Sequence, residues 1–323
     1  MDQIKHNFIE VNGLNLHVAE IGSESSPAVI FLHGFPEIWY TWRHQMIAVA
    51  NAGFRAIVPD YRGYGLSDIL KNPRRPLFLI LSKILRPFWI ISIFLRWNVY
   101  VTVFVIGKDF GSMVGYTFAL FNPQKVAAIV SLGVAFRPPG SRAHQALPEG
   151  YYINRWKEPG RAEADFGRFD VKTVVKNIYI IFSRSEIPIA NENQEIMDLV
   201  DPSTPLPSWF TEDDLAVYGD LYQKSGFQTP LQVPYRILNS KVEVSKQAPK
   251  DLKVEAPTLL IMGEKDFVFG LPGTAEYIRS GEVKKYVPNL ETIYIAEGSH
   301  FVHEQFPDQV NQLILNFLNC HKH

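Results

Sequence analysis

The 323 residues predict an α/β fold in which a mostly parallel central sheet is covered by helices on both faces and carries an inserted, mainly helical cap. Three observations carry that expectation. Short runs that are apolar throughout recur along the chain, as strands buried on both faces require. Spacers of helix length separate them, which parallel crossovers need. One stretch, about 137–255, breaks this rhythm with clustered prolines and many aromatics.

In chain order, residues 8–11 and 14–20 alternate in β fashion around Asn12-Gly13, the strongest short hairpin signal. Continuous apolar runs follow at 28–32, 55–59, 101–106, 126–134, 258–262 and 292–296. A helix is expected over 112–121. Within the insertion, Asp201-Pro202-Ser203-Thr204-Pro205 reads as loop, whereas 211–225 reads as a helix capped by Thr211 with Asp213 and Asp214 in its first turn. The organisation is therefore 1–136 for the first part of the core, 137–255 for the cap and 256–323 for the rest of the core.

Charge and composition narrow the function. With 32 Lys and Arg against 33 Asp and Glu, the chain offers no basic surface for nucleic acid or an anionic membrane. The partners expected are a small uncharged molecule and water, with neither cofactor nor metal. The single cysteine, Cys320, cannot form an internal disulfide, and residues 1–10 lack the apolar core of a signal peptide, so a cytoplasmic location is expected. Residues 77–106 are apolar, but Lys83, Arg86, Pro87 and Arg96 divide them into runs too short to cross a bilayer.

The chemistry lies at three strand ends. Val103-Phe104-Val105-Ile106-Gly107-Lys108-Asp109-Phe110-Gly111 runs a strand into Gly-x-Asp-x-Gly, the pattern of a nucleophile elbow with Asp at its centre. His33-Gly34-Phe35-Pro36 follows an earlier strand, where the N–H of Phe35, joined by that of Phe110, would form a two-donor oxyanion hole. Asp266 follows the run at 258–262, and His300 follows the last strand. The order nucleophile, acid, histidine is that of a hydrolase triad, and parallel sheets bind ligands beyond the carboxyl ends of their strands. Each residue alone has a plainer reading: Asp109 as a surface turn residue, Asp266 as an Asx-turn or helix cap ahead of Pro272, His300 as a satisfied strand-end histidine. His303 competes with His300 but falls in the following helix.

Aspartate at the elbow selects a reaction class. A serine displacing at saturated carbon would form an ether, which activated water does not readily cleave. A carboxylate forms an ester, whose carbonyl water attacks. Displacement at sp3 carbon, as in epoxides or alkyl halides, is the chemistry this favours.

The segments His33-Gly34-Phe35-Pro36-Glu37-Ile38-Trp39-Tyr40-Thr41-Trp42-Arg43, Asp60-Tyr61-Arg62-Gly63-Tyr64-Gly65-Leu66-Ser67-Asp68, Tyr151-Tyr152-Ile153-Asn154-Arg155-Trp156 and Val233-Pro234-Tyr235-Arg236 resemble the plant soluble epoxide hydrolases of the α/β-hydrolase superfamily. The resemblance covers nearly the whole chain except 69–102. It implies an α/β-hydrolase fold acting on a small-molecule epoxide, with Asp109 as nucleophile and Asp266 with His300 activating water. It also implies that Glu37 positions that water and that Tyr152 and Tyr235 of the cap hydrogen-bond the epoxide oxygen. A phenol with pKa about 10 is a proton donor at neutral pH. Tyr151 is the neighbouring register. The family often has Trp after the nucleophile, where this chain has Phe110.

Three other functions compete. A haloalkane or haloacid dehalogenase would use the same Asp-His-Asp machinery, but usually holds halide with an indole N–H beside the nucleophile, which Phe110 lacks. A carboxylesterase or hydrolase-derived hormone receptor would need the elbow serine. An inactive binding protein, or the impaired product of a defective gene, is kept open by residues 69–102. Read one base earlier, 72–97 can be decoded as a helix-patterned string resembling the family's own segment. A frame-shifted translation there is expected, with 98–102 as extra material.

Overall fold

The structure, a computed structural model, describes residues 3–11, 13–69, 102–138, 147–236 and 251–322. The frame-shift reading of 72–97 and most of the apolar stretch 77–106 lie outside these residues. Among the described residues no helix is long and apolar enough to cross a membrane.

Strands β1 (Lys5–Val11) and β2 (Leu14–Ile21) form the antiparallel hairpin expected around Asn12-Gly13, with Val11 opposite Leu14. The apolar runs become β3 (Ala28–Leu32), β4 (Arg55–Pro59), β5 (Val103–Lys108), β6 (Val126–Leu132), β7 (Thr258–Gly263) and β8 (Leu290–Ile295). All eight share one sheet in the order β1-β2-β4-β3-β5-β6-β7-β8; β2 pairs antiparallel with β1 and β4, and every later pairing is parallel.

Several boundaries differ from the sequence expectation by one to three residues, and three of them have a plain cause. β5 runs on to Lys108 because Gly107 and Lys108 keep their register against Ser131 and Leu132 of β6, although neither is apolar. β6 stops at Leu132 because Gly133 turns to φ 77°, where a strand cannot continue. β8 starts at Leu290; as an edge strand it is only half covered, so its apolar pattern is diluted by Glu291.

Successive strand residues feed opposite faces. Val29, Phe31, Val58 and Ile106 pack with Met46 and Val49 of α1 (Arg43–Asn51), whereas Ile30, Leu32, Val105 and Ile129 pack with Val114 and Phe118 of α2 (Phe110–Phe121). α2 begins two residues before the expected 112–121, since its start carries glycine rather than strong helix formers. The chain leaves β3 for β4 on one side and β5 for β6 on the other, while β3 and β5 are themselves neighbours. Their carboxyl ends thus flank a crevice at the switch point.

Between β6 and β7 the described α-helices are α3 (Tyr152–Trp156), α4 (Arg161–Phe166), α5 (Val171–Phe182), α6 (Glu212–Ser225) and α7 (Gln228–Gln232), joined by turns and loops. Trp156, Ile178 and Leu215 from this insertion continue the apolar cluster that includes Val29 and Ile106. The chain then forms α8 (Thr274–Arg279), α9 (Val302–Gln305) and α10 (Pro307–Cys320).

The cap box at α6 also docks the insertion. Thr211 and Asp214 exchange hydrogen bonds between side chain and backbone, as expected for Thr211, and Asp214 turns its other oxygen to the core. There Arg43 Nη2 lies at 3.0 Å and Tyr40 donates at 2.9 Å, while Arg43 Nη1 meets Glu304 of α9 at 2.6 Å. All three charged side chains are buried. Replacing Arg43 with Met strips both carboxylates of their cation and is expected to cost about 3–5 kcal/mol, read as a lower urea midpoint.

Candidate active site

Asp109 sits at the hinge between β5 and α2 with φ 52° and ψ −124°, the one non-glycine residue with positive φ among those described. Such a backbone costs roughly 1–3 kcal/mol and persists only where its surroundings impose it. They do so by close approach: a Cβ on Gly111 would lie 2.1 Å from the Leu32 carbonyl oxygen, so the helix start can sit against β3 only as glycine. The turn lifts the Asp109 side chain out of the sheet, leaving it 24% exposed beside an otherwise buried His300.

His300 follows β8 and meets the other two acids. Its Nδ1 is 2.9 Å from Asp266 Oδ1, and its Nε2 is 3.6 Å from Asp109 Oδ2. Asp266 is buried just past β7, where its Oδ1 also accepts the Val268 N–H at 2.9 Å. An ionised Asp266 only accepts, so the proton of neutral His300 belongs on Nδ1, leaving the Nε2 lone pair toward Asp109. Phe267 lies against the imidazole with centroids 4.6 Å apart, and Phe182 meets it edge-on at 5.9 Å. The three triad candidates, scattered over residues 109, 266 and 300, thus meet in space. His303 goes elsewhere. Thr41 Oγ1 donates to Glu304, so His303 Nε2 donates to Thr41 across 2.7 Å; burial, then Lys108 and Arg43, hold this ring well below the usual histidine range.

The Phe35 N–H reaches Asp109 Oδ1 at 3.4 Å, a long contact to the ground-state carboxylate. Phe110 opens α2, so its N–H belongs to the unpaired first turn at the same place. Glu37 is fully buried in the same loop. Its Oε2 accepts the Gly34 N–H at 2.7 Å, and Gly34 has no side chain because a Cβ would lie 2.6 Å from both Asp109 Oδ1 and Glu37 Oε2. Burial raises the Glu37 carboxyl to about 7; Asp109 and Glu304 push it the same way, and Lys108 and His300 oppose them.

Two phenols come from the insertion. Tyr152 opens α3 and Tyr235 follows α7, their rings edge to face at 5.9 Å. Tyr64 ties the second of these to the core by donating to the Val233 carbonyl at 2.9 Å. Burial raises both phenols well above their ordinary range; Tyr151, Asp109 and Asp266 push Tyr152 the same way, and Tyr152, Asp109, Tyr64 and Tyr222 push Tyr235. They are therefore protonated at neutral pH. Tyr151 lies beside Tyr152 with ring centroids 4.9 Å apart and tilted planes; both phenols feel the charge of Asp266, and Tyr152 feels that of Asp109 as well. Phe35, Trp156, Phe182 and Phe267 surround the pair with rings.

Sequence reasoning gave no role to Lys108 or Trp156. Lys108 lies in the elbow motif itself, but only the fold buries its ammonium 3.6 Å from Glu37 Oε1. Glu37, His303 and Glu304 come within 4.8 Å of one another in metal-ligand fashion. Their negative charge is met instead by Lys108 at Glu37 and Arg43 at Glu304.

A family model of the alpha/beta hydrolase fold matches residues 27–307. Epoxide hydrolase 2 of Siraitia grosvenorii is 37% identical, over 98% of this chain and 99% of its own. The crystal structure of an epoxide hydrolase from Vigna radiata superposes with a TM-score of 0.84 at 35% identity, covering 98% of this chain and 99% of that one. Potato (Solanum tuberosum) epoxide hydrolase I does so with a TM-score of 0.84 at 31% identity, over 98% and 99%.

Proposed function

Since the chain belongs to the α/β-hydrolase family and, within it, to the plant-type epoxide hydrolases, we propose that it converts epoxides to vicinal diols through an ester on Asp109. The observation that carries this reading is the meeting of an elbow carboxylate with a His300–Asp266 pair, with Tyr152 sharing Phe182 and Phe267 with that imidazole and Tyr235 edge-on to Tyr152. Residues 137–255 act as the cap that brings those phenols. The expected compartment is the cytoplasm, which the lone Cys320 fits.

In the first step an Asp109 oxygen bonds the epoxide carbon, the ring C–O bond breaks, and the freed oxygen takes a proton from Tyr152 or Tyr235. In the second, His300 Nε2 takes one proton from a water held by Glu37 as the water oxygen attacks Asp109 Cγ. The resulting oxyanion is held by the N–H groups of Phe35 and Phe110. Cleavage of the bond from Cγ to the alkylated oxygen releases the diol, which takes the proton from His300. The second water proton, left on the regenerated carboxyl, restores the phenol by way of solvent.

The phenol pair also separates this reading from dehalogenation, since a departing halide needs no proton and Phe110 offers no side-chain N–H to hold one. The rings of Phe35, Trp156, Phe182 and Phe267 favour an apolar substituent on the epoxide. The test is incubation with a plain aryl epoxide and, separately, a terminal haloalkane. Diol from the first without halide from the second is expected. Halide release without diol would overturn the proposal.

A further inference from the structure

The Lys108 side chain is fully buried at the end of β5, and its Nζ has no hydrogen-bond partner among the described residues. Facing it at 3.6 Å is Glu37 Oε1, equally buried and equally without one, while the second Glu37 oxygen is taken by the Gly34 N–H. The Phe301 ring closes the site with its centroid 5.3 Å from Nζ. A buried ion pair without hydrogen bonds is costly, and two such groups of opposite charge set face to face call for a function.

We propose that Lys108 is a positioning residue for the hydrolytic half of the reaction, supplying the cation that keeps Glu37 an anionic acceptor for the water that cleaves the Asp109 ester. This rests on the two-step reading above and extends it to a residue that touches neither substrate nor nucleophile.

The charges around Glu37 make the device act at the right moment. Facing it are Lys108 from β5, Asp109 from the elbow, His300 after β8, and neutral His303 with Glu304 from α9. The phenols of Tyr61 and Tyr64 after β4, and of Tyr179, Tyr218 and Tyr222 from the insertion, are held protonated by burial and add no charge. In the free protein the Asp109 carboxylate opposes ionisation of Glu37. Alkylation turns that carboxylate into a neutral ester, and Lys108 then faces Glu37 with this opposition removed. Glu37 therefore becomes a better acceptor as soon as there is an ester to hydrolyse.

The test is transient kinetics on Lys108→Met, with Lys108→Gln as a second variant of lower apolarity, measuring ester formation and ester decay separately across pH. Ester formation should stay within about threefold of the parent, since it needs no water. Decay at pH 7 should slow by tenfold or more, and its acid limb should move upward by about 1–3 pH units, as expected when an opposite charge within a few ångströms is lost. Glu37→Gln should slow decay alone, and adding Lys108→Met to it should change nothing further. If both lysine variants keep the parent acid limb and decay rate while Glu37→Gln stalls, the role of Lys108 is overturned and the two-step reading stands. Equal slowing of both steps with no movement of the limb would mark Lys108 as merely structural and also overturn it. If Glu37→Gln itself decays at the parent rate, the water-positioning reading beneath the proposal fails.

Discussion

His300→Gln is expected to take up one equivalent of epoxide and stop. With Nε2 3.6 Å from Asp109 and Nδ1 held by Asp266, the imidazole is placed to act on a water approaching the ester and not on the epoxide. Glutamine keeps much of the volume and the contact to Asp266 but has no basic lone pair. Loss of a general base is worth about 10²–10⁴-fold, so decay of the ester should fall by that factor while its formation continues. Intact-protein mass spectrometry should show the chain heavier by one substrate, with the added mass on the peptide holding Asp109. The parent chain in oxygen-18 water should yield an unlabelled diol in a single turnover and carry the label in Asp109. Parent-like turnover by His300→Gln, or label in the first diol, would remove the covalent scheme.

The second large effect concerns the two phenols. Tyr152→Phe and Tyr235→Phe each remove one hydrogen bond to the developing alkoxide, a loss of about 1.5–3 kcal/mol in charge-assisted cases, or roughly ten- to a hundredfold in the alkylation rate. Either remaining phenol still donates a proton. The double variant leaves no donor, so its loss should exceed the product of the single losses. Stopped-flow measurement of ester formation separates this from any effect on hydrolysis. Parent rates in both single variants would withdraw the main support for epoxide opening over dehalogenation.

Much of this architecture was legible before any coordinates. Strands β3, β4 and β7 announce themselves because burial on both faces demands an unbroken apolar run, a purely local pattern. β8 was read two residues late because an edge strand is covered on one side only. The hairpin and the Thr211 cap rest on signals two to four residues long, and both stand in the structure as read.

By itself the sequence determined the sheet, the place of the elbow and, through the Asp between two glycines, the class of chemistry open to it. These are consequences of backbone conformation and of one functional group, each carried by neighbours along the chain. The sequence already favoured His300 over His303, and the tertiary structure supplies the reason: Asp266 holds the first ring beside Asp109, while the second turns to Thr41. Only the tertiary structure placed Lys108 against Glu37 and joined Arg43 to Glu304 and Asp214. Those pairings span tens to hundreds of residues, and a partner at that distance leaves no periodicity in the chain. Electrostatics and burial act through space, so the groups that tune this site become readable only when the fold brings them within a few ångströms of one another.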